Sequence, residues 1–279
     1  MTIETIDLVD DDAKSIVTIA PARGAIVTRF GVGDRELLFL DESTLQDPGK
    51  NVRGGVPILF PSPGRLTGDR FTSHGKSGAM KQHGFARDSA WTVTERGDRE
   101  LVLTLASSER TLAMYPWRFR LEGRFALRGA CLRFDLKVTN DDRDPMPFAF
   151  GTHPYFLVRD KSRARIPTAA TRAFDNVKKE VVPFRGFDLT APEVDLHLVD
   201  HGDSAARLEV GDGTAIAIRC SSELRRWVVW TLGGRDFVCV EPWSAPGDAL
   251  NTGDSVIELA PGASRGLWIE MESGATTAA

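Results

Sequence analysis

From Leu132 to Thr139 apolar and polar residues alternate without a break: Leu132, Phe134, Leu136 and Val138 against Arg133, Asp135, Lys137 and Thr139. Successive side chains on a strand point to opposite faces, so this segment buries one face and wets the other. A helix would instead repeat its apolar stripe about every 3.6 residues. The same alternation closes the chain, with Leu267, Ile269 and Met271 opposed to Trp268, Glu270 and Glu272. Further strand candidates cover residues 15–19, 25–28, 101–105, 119–127, 215–218 and 227–232. Turn signals fall between them at Gly31-Val-Gly33, Gly97-Asp98, Gly129, Gly211-Asp-Gly213, Gly233-Gly234 and Pro261-Gly262. The best helix candidate is short, residues 107–114, and is ended by Pro116. Many short strands with frequent turns predict an all-β sandwich or barrel.

No internal repeat or low-complexity linker divides the 279 residues, so residues 1–279 read as a single domain. Residues 41–90 differ in kind, being rich in Gly, Pro, Arg, Lys and Ser; so long an irregular stretch in a compact domain points to function or disorder. Residues 273–279 are small and polar and read as a frayed tail. Apolar content of 42% with 27% charged residues is an ordinary globular balance. The net charge of -4, with basic residues scattered, implies no nucleic-acid partner. The acidic N-terminus has no basic-then-apolar leader pattern, and no apolar run reaches membrane-spanning length. Cys131, Cys220 and Cys239 are far apart and odd in number. They read as buried thiols in a reducing cytoplasm, not disulfides or metal ligands. Monomer and dimer stay equally open.

Chemistry concentrates in a few places. Glu241 ends the apolar run Phe237-Val-Cys-Val-Glu-Pro-Trp243. Charge in such a run is costly unless paired or used, and burial raises a carboxyl pKa toward the range of a general base. The competing reading is a strand-end glutamate in an ordinary salt bridge. Arg53-Gly-Gly-Val-Pro-Ile-Leu-Phe-Pro61 lets backbone approach closely beside an arginine, or is simply a tight turn into a buried strand. His83-Gly-Phe-Ala-Arg87 sets a histidine near an arginine, although a capped turn explains it as well. In Gly151-Thr-His-Pro-Tyr-Phe156 a histidine precedes proline at a strand end, placed to be exposed in a cleft or to serve structurally. Together, charged hydrogen-bonding groups and several tryptophans are what a sugar ring needs. No phosphate-binding glycine loop, no Cys/His metal spacing and no Gly-x-Ser-x-Gly elbow is present.

Arg53-Gly-Gly-Val-Pro, His83-Gly-Phe-Ala-Arg, Thr152-His-Pro-Tyr-Phe and Glu241-Pro-Trp, in that order, resemble the aldose 1-epimerase (galactose mutarotase-like) superfamily. The stretch Glu241-Pro-Trp-Ser-Ala-Pro-Gly-Asp-Ala-Leu-Asn-Thr-Gly253, then Leu259-Ala-Pro-Gly262, adds to the likeness. The resemblance implies a β-supersandwich of large antiparallel sheets with a sugar in an open cleft. It implies Glu241 as general base on the anomeric hydroxyl and His153 as general acid on the ring oxygen, with no cofactor and no metal. It also implies His83 beside the ring oxygen and an aspartate on the sugar hydroxyls, best matched by Asp195, with Asp188 and Asp175 as substitutes. Trp243 joins them as a sugar platform.

Two branches of the superfamily compete. Arg53 and Arg87 are similar to arginines of the hexose-6-phosphate 1-epimerase branch, where a guanidinium can grip phosphate, and Lys76 or Lys81 could assist. His153-Pro-Tyr-Phe replaces that branch's usual His-Thr-Tyr-Phe, and Ser62-Pro-Gly-Arg-Leu-Thr-Gly68 looks more like free-sugar relatives, with Arg65 on the sugar. The balance leans to a free aldose. The rivals are a non-catalytic sugar-binding protein on the same fold, and a glycoside hydrolase with two carboxylates, for which no convincing second acid is seen.

Overall fold

A computed structural model describes residues 3–276. Two large antiparallel sheets dominate it. The seven-stranded sheet runs in the order Ala205–Glu209, Thr214–Cys220, Ser264–Ala275, Cys131–Asn140, Phe119–Arg128, Glu100–Ala106, Thr92–Arg96. The eight-stranded sheet runs Glu180–Pro183, Arg172–Asp175, Glu193–Leu198, Arg226–Leu232, Phe237–Trp243, Gly151–Thr152, Ile58–Leu59, and Tyr155–Leu157 also pairs with Phe237–Trp243. A four-stranded sheet of Ile6–Asp10, Ser15–Ala20, Ile26–Val32 and Arg35–Glu36 is built from the N-terminal residues. The fold is all-β, a β-supersandwich, as the alternation and the resemblance imply.

The alternation works as expected. Leu132, Phe134, Leu136 and Val138 are buried in one core with Leu121 and Phe125 of the neighbouring strand. The same core takes Phe148, Phe150, Val229, Val238 and Val240 from the side of the eight-stranded sheet. Burying each such side chain stabilises the fold by about 1.5–3 kcal/mol. On the other face of the Cys131–Asn140 strand, Arg133 pairs with Asp135 at 2.7 Å and Glu270 at 3.0 Å. Its guanidinium also lies 4.6 Å from the Trp268 ring centre.

The expected helix is Glu109–Met114, started by a Ser108 capping box. Residues 41–90 are mostly irregular, as read, but hold the helix Glu42–Gln46 and the hairpin Arg70–Ser73 with Lys76–Ala79. Two expectations are corrected. Cys131 is only half-buried, because it opens its strand beside the Gly129 turn; Cys220 and Cys239 are buried thiols. Ser273 to Ala275 are not frayed: they pair with Ile216, Ala215 and Thr214, because the partner strand continues that far. Residues 277–279 lie outside the described residues. Among the described residues no helix is long and apolar enough to cross a membrane.

Candidate active site

Every residue of the Phe237–Trp243 strand is buried, but its two faces meet different things. Val238 and Val240 enter the main core. Phe237, Cys239, Glu241 and Trp243 point the opposite way, by the period of two. Register then lines up the candidate site. Asp195, Trp230, Cys239 and Tyr155 form one cross-strand row. His197, Val228 and Glu241 form the next, and Arg226, Trp243 and Gly151 a third. Residues far apart in sequence thus share one sheet face.

Glu241 is 1% exposed, so its carboxylate is almost wholly removed from water. Its Oε2 accepts a hydrogen bond of 3.1 Å from Trp243 Nε1, and its Oε1 lies 3.4 Å from His153 Nε2. Burial lifts its pKa well above the usual carboxylate value; Asp195 pushes it further up, while the Trp243 bond pulls it down. His153 is set between the strands Gly151–Thr152 and Tyr155–Leu157 and stacks on Tyr155 at 4.6 Å. It is less exposed than the sequence suggested, and its buried Nδ1 has no partner among the described residues. Burial holds its imidazole well below the usual value, and His83 and Arg87 push it lower.

The other expected residues divide. His83 is buried, edge-on to His153 at 5.5 Å and to Trp243 at 5.9 Å. Its Nδ1 meets the Pro63 carbonyl oxygen. Burial, then the charge of Arg87, lowers its pKa to about 3. Its backbone and that of Gly84 both have positive φ, 73° and 68°. A Cβ at Gly84 would collide with the Phe60 carbonyl, so glycine follows the histidine for want of room. Asp195 sits on a strand and not in a loop; its Oδ1 is 3.4 Å from His197 Nε2, and Asn176 Nδ2 donates to its Oδ2 at 2.6 Å. Asp188 and Asp175 bind their own turns instead.

Arg87 is largely buried; Nη2 donates to the Gln82 carbonyl at 3.0 Å, and its buried Nε makes no hydrogen bond among the described residues but lies 4.0 Å from Asp88 Oδ2. Arg53 and Arg87 both act electrostatically on Tyr155. Arg65 follows Pro63 and Gly64, whose carbonyls meet His83, and its exposed side chain pairs with Asp69 at 3.3 Å. Lys76 is spent on Asp142 and Asp144. Sequence reasoning missed His197, buried edge-on to Trp243 at 5.3 Å, together with Tyr155 and Trp230. The signal for His197 was its place two residues after Asp195, on the same strand face.

Gly151 carries one prediction. A Cβ there would stand 2.5 Å from Trp243 Cδ1. Gly151→Ala is therefore expected to displace Trp243 and destabilise the fold by about 1–3 kcal/mol, the usual cost of overpacking. Thermal unfolding and the indole fluorescence of the variant check this; an unchanged Tm would contradict the crowding.

Comparison with known proteins follows the same lines. The family model described as aldose 1-epimerase matches residues 8–272. A Cenchrus ciliaris protein named "Putative glucose-6-phosphate 1-epimerase" is 29% identical over 230 residues, 77% of this chain and 63% of that protein. A Salmonella typhimurium protein of the same name is 26% identical over 182 residues, 63% of this chain and 56% of the other. The chain thus spans less than two thirds of the length of these relatives. The solved Slr1438 protein from Synechocystis sp. PCC 6803 superposes with a TM-score of 0.95 at 34% identity, over 99% of this chain and 97% of that one. A galactose mutarotase-like protein from Lactobacillus casei superposes with a TM-score of 0.79 at 23% identity, over 97% of this chain and 100% of that one, a likeness of fold.

Proposed function

Because the chain belongs to the aldose 1-epimerase family, we propose that it interconverts the α and β anomers of a hexose by acid–base ring opening at Glu241 and His153. The observation that carries this is the buried Glu241–His153 pair at 3.4 Å, with the rings of Tyr155 and Trp230 packed against His153 and the Trp243 indole bonded to Glu241. One proton suffices for the pair. With Glu241 ionised and His153 protonated, the carboxylate takes the proton of the anomeric hydroxyl while the imidazolium gives its own to the ring oxygen. The C1–ring-oxygen bond breaks, and C1 becomes an aldehyde. The pair is then a neutral acid beside a neutral imidazole, the state that burial favours in both groups. After rotation about C1–C2 the transfers reverse on the other face. Net charge at the site never changes, so no step strands a charge in a low-dielectric cleft.

The pH dependence follows. A second proton enters when imidazole protonates beside a neutral carboxyl; burial, His83 and Arg87 hold that step below the usual value of 6.5. The working proton leaves when the carboxyl ionises beside a neutral imidazole, and burial with Asp195 lifts that step above the usual 4.5. The profile of kcat/KM is expected to be a bell whose apparent pKa values belong to the pair. Its acid limb is expected below pH 6.5. An acid limb above that value in the pH–rate profile would contradict a buried, depressed imidazole.

For the substrate, the balance moves from free aldose toward hexose 6-phosphate. Arg65, the residue favouring a free sugar, has an exposed side chain paired with Asp69, whereas Arg87 is largely buried, its Nε makes no hydrogen bond among the described residues, and its charge acts on both histidines. Both relatives named above carry the phosphorylated substrate in their names. If Arg53 and Arg87 grip phosphate, Arg87→Leu is expected to raise KM for glucose 6-phosphate about tenfold to a hundredfold, the worth of a charge-assisted hydrogen bond, and leave glucose little affected. Equal losses on both sugars would sink the phosphate clamp while leaving the epimerase chemistry intact.

A further inference from the structure

Cys239 has no task in this mechanism, yet it stands two residues before Glu241 on the same strand face, paired across the sheet with Tyr155 and Trp230. Ligand atoms of His153, Cys239 and Glu241, all three buried, lie within 4.8 Å of one another. They come together only through the sheet register, since 86 residues separate His153 from Cys239 in sequence.

We propose that this trio is an inhibitory binding site for a thiophilic divalent cation such as Zn²⁺. The site rests on the epimerase reading only for its effect on activity. Thiolate, imidazole and carboxylate together are a set that Zn²⁺ accepts, with a fourth position left for water. Tetrahedral Zn²⁺ with bonds of about 2.0–2.3 Å needs its ligand atoms roughly 3.3–3.8 Å apart. His153 Nε2 and Glu241 Oε1 already stand 3.4 Å apart. The sulfur lies within 4.8 Å of both and has to close in as the ion binds. As the ion binds, the thiol's proton and the proton shared by Glu241 and His153 both leave to solvent, and no electron changes hands. The ion then occupies the lone pairs that must receive and return the sugar's protons. Ion and sugar need the same atoms of Glu241 and His153, so inhibition is competitive with sugar. Anomer exchange thereby becomes sensitive to free zinc.

The test uses Co²⁺ as a spectroscopic stand-in and Zn²⁺ as inhibitor, on the full chain stripped of metal. Co²⁺ is expected to give an intense thiolate-to-cobalt charge-transfer band that glucose 6-phosphate suppresses. Zn²⁺ is expected to inhibit anomer exchange, with a Ki raised at least tenfold in Cys239→Ala, whose metal-free rate stays at the wild-type level. Surface sites such as His74 with Glu258 bind ions without a thiolate band. Absence of the band, or equal zinc inhibition in Cys239→Ala, overturns the proposal. If the variant does not fold, the wild-type band and its suppression by sugar decide alone. A chain that gives the band but never exchanges anomers refutes the epimerase reading and leaves the metal site standing.

Discussion

Glu241→Gln lowers kcat by about 10²–10⁴-fold, the usual worth of a positioned proton-transfer group. The amide keeps the size of the side chain, and its oxygen still accepts the hydrogen bond from Trp243 Nε1, 3.1 Å long in the parent. What it loses is the ability to take a proton from the anomeric hydroxyl. Sugar affinity is therefore expected to change little, and the fold is expected to keep or gain stability, because a buried ionisable group has become a neutral one. Steady-state exchange kinetics, sugar titration and thermal unfolding separate these effects. Retained turnover would remove Glu241 from the mechanism.

The second large effect is at His153. His153→Ala is expected to lower kcat by about 10²–10⁴-fold as well. It also empties a ring-sized space over Tyr155, where the two rings now stack 4.6 Å apart. A cavity of that kind costs stability on the order of 2–5 kcal/mol by analogy with other large-to-small changes in cores. His153→Asn keeps most of the volume and isolates the chemical loss. Because the two groups share one proton, the double variant with Glu241→Gln is expected to be scarcely slower than either single one. Additive losses in that cycle would mean that the two residues act in separate steps. Near-wild-type turnover in His153→Asn would exclude the imidazole as the ring-oxygen acid.

Much of the architecture was legible because one physical signal, the period of two, repeats along so many segments. Leu132 to Val138 and Leu267 to Met271 gave their buried faces directly. Glu241 was visible as a charge in an apolar run, and its burial bears out the unusual setting. What the pattern could not supply was register. The meeting of Glu241 with His153, and of Cys239 with both, depends on which strands become neighbours, and no local spacing encodes that. His197 was overlooked for the same reason: its partner Val228 across the sheet joins it to Glu241. The end of the chain misled by composition. Small polar residues fray when nothing pairs with them, but the strand Thr214–Cys220 offers Ser273 to Ala275 a full ladder.

A non-catalytic sugar-binding protein on this fold would have no need to keep an acid and a base buried 3.4 Å apart. Direct observation of anomer exchange therefore decides between binder and enzyme. Saturation transfer between the α and β anomeric proton signals in NMR reads that exchange on the purified full chain, with glucose 6-phosphate and glucose compared at equal concentration. The account predicts exchange that quickens in proportion to protein concentration, more strongly for the phosphate ester. Exchange no faster than in buffer, for both sugars and at every protein concentration, would contradict it.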